Sequence, residues 1–129
     1  MNIQTGRDFL NSQLTPKLPD GWKVIPYDSN LDALDAPTVM YRVQSLRKHP
    51  AAPTSTYQAV WVLTVISPLT DASRRDDDAD DLVVDLLDGL TAARIPWTTA
   101  EKARWGTQYI CYDVEIQLPT TRNPTQKAS

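Results

Sequence analysis

A single cysteine among 129 residues, Cys111, cannot form an internal bridge, so packing alone must hold the fold. It reads as a small space-filling residue in a reducing compartment. Four glycines, at positions 6, 21, 89 and 106, are too scattered to build a phosphate-cradling loop. The one histidine, His49, lies between Lys48 and Pro50 with no serine or cysteine nucleophile nearby and no placed acid to orient it. Nucleophilic catalysis of the serine–histidine or cysteine–histidine kind is therefore not legible. No apolar run approaches the ~20 residues of a membrane span, and the polar opening Met1–Leu14 has no signal-peptide core. With one phenylalanine present, Trp22, Trp61, Trp97 and Trp105 are expected to supply core and interface bulk rather than to stack on a ligand. No catalytic, metal or cofactor site is expected, and the protein should start in the cytoplasm where it is made.

What is present is a chain of the right length for one domain with one core. Its charge is segregated. The net charge is −3, yet Asp71 to Asp88 sets eight aspartates against Arg74 and Arg75, a local −6 that leaves +3 elsewhere. No basic stripe interleaved with aromatics appears, which argues against a general nucleic-acid binder.

Ile3 to Leu14 carries Ile3, Leu10 and Leu14 on one side and reads as a short helix ended by Pro16 and Pro19. Trp22 to Ile25 is a short strand stopped by Pro26, which places it at a sheet edge. Asp28 to Pro37 is a polar connection with Leu31 and Leu34 as anchors. Thr38 to Lys48 alternates, with Val39, Tyr41 and Val43 on one face. Tyr57 to Ile66 differs: Ala59, Trp61, Leu63 and Val65 share one face while Val60, Val62 and Ile66 share the other, so both faces want cover. Between these strands, Arg47 to Ser55 makes a long basic tip with two prolines, longer than a chain reversal needs.

Ser67-Pro68 stops the second strand, and Thr70 or Asp71 is placed to cap a helix with the stripe Ala79, Leu82, Val83, Leu86, Leu87 and Leu90. Asp77, Asp81, Asp85 and Asp88 fall opposite, and the early aspartates suit the helix dipole. The helix should fray near Ala92 or Ala93. Ile95 to Trp97 opens a short extended piece, Lys102 to Gly106 makes the return, and Thr107 to Leu118 alternates strictly. Pro119 to Ser129 reads as a polar tail beyond a domain of residues 1–118. The expected fold is an α+β sandwich in the order α-β-β-β-α-β(-β). Its mostly antiparallel sheet has about four to five strands, with two helices on one face.

Two helices cover only one sheet face, so Val60 and Val62 await either a neighbouring subunit or a loop folded over them. Arg47, Lys48 and His49 at the long tip are the companion candidates for a partner interface. The run Asp76 to Asp81 lacks the glycine and the closing glutamate of a calcium loop. It reads as a solvated face, or as an acidic surface that keeps a polyanion from sticking.

The layout resembles the tail terminator (tail completion, minor tail) proteins of long-tailed bacteriophages. The resemblance runs from Ile3 to Leu118. It rests on the opening helix with Phe9-Leu10, the segment Leu18-Pro19-Asp20-Gly21-Trp22-Lys23-Val24-Ile25-Pro26, and the strand Thr38 to Val43. The Tyr57–Ile66 strand, the Asp-rich Leu82–Leu90 helix and the closing strand Tyr109 to Ile116 complete it. It implies a structural virion protein, not an enzyme, that forms a hexameric ring on the head-proximal end of the tail tube and ends polymerisation. Its implied partners are further copies of itself, the tail tube protein and the head-completion or stopper protein. DNA would pass through the lumen without specific binding, and no membrane is involved. The protein would assemble in the host cytoplasm and end in the neck of the virion. Asp77, Asp78, Asp81 and Asp85 would face the lumen. A head–tail connector of the neck is the nearest alternative, and a small α+β ligand-binding or enzymatic dimer a more distant one.

Overall fold

Period-two alternation and one strong helical stripe resolve into two helices on a five-stranded sheet. The computed structural model describes residues 3–25, 34–48 and 56–121. It runs α1 (Ile3–Gln13), a 3-10 turn (Thr15–Lys17), β1 (Lys23–Ile25), β2 (Thr38–Lys48), β3 (Thr56–Ile66), α2 (Arg75–Ala92), β4 (Trp97–Trp105) and β5 (Tyr109–Thr121). The sheet order is β1-β2-β3-β5-β4. β1 pairs with β2 in parallel, and the other pairs are antiparallel. This is the expected α+β class, with the 3-10 turn added to the expected order of elements. Because β5 is inserted between β3 and β4, those two strands run parallel, and β3-α2-β4 is a split βαβ unit.

The main core lies between the helices and one sheet face. Leu10 and Leu14 come from α1 and its end, and Leu82, Val83, Leu86 and Leu90 from α2. They pack on Val39, Tyr41, Trp61, Leu63, Val65, Val114 and Ile116 of the strands. Trp61, 1% exposed, lies between α1 and the sheet. Gly6 lets the helix lie on the indole, since a Cβ there would come 2.9 Å from Trp61 Cζ2. Arg7 lies 5.3 Å from the centre of the same ring and donates to the Tyr41 carbonyl at 2.9 Å. Burial raises the Tyr41 phenol to about 12, against the opposing effect of its 3.0 Å bond with Thr15.

The second face is partly closed by the chain itself. Met40, Ile66, Tyr109 and Cys111 form a smaller cluster against Ile25, Leu34, Ala103 and Trp105. The Leu34 N–H donates to Tyr109 Oη at 3.2 Å, which seats the β1–β2 connection on this face. Leu31, the other anchor expected there, lies outside the described residues.

Three local expectations are corrected. Lys102–Trp105 is strand, not a return: β4 spans nine residues, and the reversal is left to Gly106, at φ 65, and its neighbours. α2 begins at Arg75, and neither Thr70 nor Asp71 caps it. β5 runs past Leu118, with Pro119, Thr120 and Thr121 opposite Gln58, Tyr57 and Thr56. Pro119 is tolerated because β4 pairs only as far as Ile116, so one side of β5 is open there.

Candidate functional surfaces

The acidic helix shows how each aspartate is used. Asp71 organises the turn before α2, accepting from Ser73 N at 3.0 Å and from Ser73 Oγ at 2.9 Å. Those two bonds, the backbone one first, hold its carboxyl below the ordinary range. Asp76, Asp77 and Asp78 fill the first turn, where they meet the positive end of the helix dipole. Asp77, Asp81 and Asp85 are exposed, as expected. Asp78 is half-buried instead and accepts from Oγ of the fully buried Ser67. Asp80 accepts from Tyr112 Oη at 2.6 Å and pairs with Lys102 Nζ at 3.0 Å, which ties α2 to β5 and β4. The tyrosine bond, then the lysine, lowers the Asp80 carboxyl, and the same contacts raise Tyr112 and Lys102.

Arg47 and Lys48 are exposed at the end of β2, opposite Gln58 and Tyr57. His49 lies outside the described residues. Val60 and Val62 are 1% and 4% exposed. Their cross-strand neighbours are Ser45 and Gln117 for Val60, and Arg42 and Glu115 for Val62. Polar residues on both strands thus flank these valines, and Gln117, Arg42 and Glu115 are long enough to reach over them.

Beside Val62 those neighbours bound a cleft of about 210 Å³, walled by Arg42, Gln44, Thr99, Glu101, Asp113 and Glu115. Asp113 accepts from the buried Thr64 Oγ1 at 2.7 Å and lies 3.9 Å from Arg42 Nη2. Glu101 is directly opposite Asp113, a like-charge pair that costs stability. Three carboxylates around one guanidinium suit a basic side chain better than a phosphate.

An open groove of about 390 Å³ lies where α2 ends, walled by Thr91, Arg94, Ile95, Pro96 and Trp97. The chain leaves the helix through a Schellman turn: Arg94 N–H donates to Thr91 O at 3.1 Å and Ile95 N–H to Leu90 O at 2.9 Å. Arg94 takes the left-handed position at φ 60, where glycine is usual.

No protein-family model and no curated protein matches the chain. Among the described residues no group of three or more His, Cys, Asp or Glu converges as a metal site, and no helix is long and apolar enough to cross a membrane. The sequence reading did not single out the cleft carboxylates or the groove. Asp113 and Glu115 were legible as the polar face of β5, but their meeting with Glu101 required β4. The groove depends on a residue, Arg94, whose backbone conformation no local pattern announces.

Proposed function

We propose that the chain is a phage tail terminator, a structural protein that assembles in a hexameric ring on the head-proximal end of a tail tube. The observation that carries the reading is the division of the surface. Asp77, Asp81 and Asp85 lie exposed along one helix, while Arg47 and Lys48 lie exposed on a different element, at the end of β2.

The proposed mechanism is capping. A ring that docks on the last tube ring, and offers no equivalent surface above, makes a contact that cannot be repeated. The basic hairpin end is suited to reach a neighbouring ring. The acidic side of α2 faces the lumen, where like charge lowers adhesion of the DNA phosphates passing through. Asp77, Asp81 and Asp85 supply that field, with Asp78 contributing less because it is engaged by Ser67.

Deletion of the gene tests the reading. Overlong tails with unattached heads are expected under electron microscopy. Tails of normal length with leaking heads would instead assign the protein to the connector class. In reconstitution, the purified protein should bind tube ends and halt elongation of the tube protein; a strict monomer with and without tube protein would refute the ring.

A further inference from the structure

The cleft on the outer sheet face holds charge that the chain itself does not balance. Glu101, Asp113 and Glu115 face one cation there, Arg42, so three carboxylates and one guanidinium leave a net −2. Asp113 has the ion pair with Arg42, at 3.9 Å. Glu101 and Glu115 make no ion pair and no side-chain hydrogen bond among the described residues. Val62, in the same cleft, is 4% exposed, so the charge is held against an apolar wall, where it attracts a counter-charge more strongly than it would on an open surface. The aspartates of α2 are placed differently: Asp77, Asp81 and Asp85 stand on the exposed side of a helix, and Asp80 already has Lys102.

The same chain exposes an equal and opposite charge. Arg47 and Lys48, at the end of β2, sit across from Gln58 and Tyr57, and neither has an ion pair among the described residues. Both patches belong to one strand. Five and six residues separate Arg42 from Arg47 and Lys48, roughly 16–20 Å of extended chain. Pairing with β3 on either side of the bulge at Val43 to Ser45 holds that separation fixed. A copy therefore cannot fill its own cleft with these cations, although their charge matches it.

We propose that the Arg47 and Lys48 end of one copy seats in the acidic cleft of the next. End and cleft are different surfaces, so the contact is head-to-tail, and each copy in it keeps one end or one cleft open for a further neighbour. Such a contact closes into a ring when the rotation between copies closes. The contact rests on the ring of the tail reading, and it narrows the role of Arg47 and Lys48 from reaching the tube to joining neighbours within the ring.

Sedimentation equilibrium across the micromolar range tests it, and the wild type is expected to grow past the mass of a dimer. Glu101→Lys supplies the cation from within the cleft. It removes the like-charge pair with Asp113, so Tm should hold or rise while association weakens at least about tenfold. Arg47→Glu combined with Lys48→Glu should weaken it as much, and Lys17→Glu, an exposed lysine elsewhere, should leave it unchanged. An equimolar mixture of the Glu101→Lys protein with the doubly reversed one should form heterodimers and nothing larger, because only one end and one cleft remain competent. A wild type that stays monomeric or stops at a dimer overturns the contact, and so does a folded Glu101→Lys protein that associates like the wild type. A ring whose mass neither variant alters overturns the contact and leaves the ring reading standing. Tails of normal length after gene deletion, with the variant effects as expected, leave the contact standing and remove the terminator.

Discussion

Replacing Arg94 by glycine should make the protein more stable. Arg94 sits at φ 60, where the Cβ of any L residue crowds the following carbonyl at a cost of ~1–2 kcal/mol. Glycine escapes that cost but gives up ~0.5–1 kcal/mol more backbone freedom on folding. The difference leaves Arg94→Gly stabilising by about 0.5–1 kcal/mol, a rise in Tm of about 2–5 °C for a chain of this length. Arg94→Ala keeps the Cβ and the strain, and should change stability by less than about 0.5 kcal/mol. Thermal and urea unfolding of the three proteins, followed by circular dichroism, measures both. A gain from alanine as large as that from glycine would place the cost in the guanidinium rather than the backbone. A loss from glycine would mean that the left-handed turn does not end α2. Either result refutes the reasoning.

Gly6→Ala should be destabilising by up to about 2 kcal/mol in urea unfolding, because the new Cβ meets a closely packed indole and an overpacking cost of about 1–3 kcal/mol outweighs the ~1 kcal/mol gained in helix propensity. A net gain would show that Trp61 is free to move. Asp80→Asn should flatten the acid limb of stability. The Asp80 carboxyl is lowered in the fold, so its contribution is present above the unfolded carboxylate pKa and is lost as pH falls through the folded value. The effect is small, since Asp80 and Lys102 stay 48% and 40% exposed, and salt should shrink it. Curves of Tm against pH that run parallel for the two proteins would refute it. Cys111 is 2% exposed and burial raises its thiol to about 12, so thiol reagents at neutral pH should label it only as the protein unfolds. Rapid labelling of the native protein would contradict the packing of the second sheet face.

Much of the fold could be read from short-range pattern. The period of two in β5 separates Val114 and Ile116, in the main core, from Asp113 and Glu115 on the other face. The helical spacing of Leu82, Val83, Leu86 and Leu90 picked out the buried side of α2 and, by complement, the exposed aspartates. Both patterns are legible because each element faces one core in a constant direction, and the chain's own geometry converts direction into spacing.

What lay beyond that pattern was settled by which element came to lie beside which. β4 buries no residue fully, because an edge strand has a neighbour on one side only, so it carries no alternation to read and its second half looked like a return. The two-faced apolar pattern of β3 left open what covers Val60 and Val62. Polar residues of β2 and β5 flank those two valines, while Leu34 covers the other end of that face, at Met40, Ile66, Tyr109 and Cys111. Asp80 reaches Tyr112 across 32 positions, and Trp97 meets the end of the α2 stripe because Arg94 turns the chain back. Local spacing assigned each residue to a face. The pairing of distant faces, on which both the cleft and the groove depend, arose from long-range burial, which has no period in the sequence.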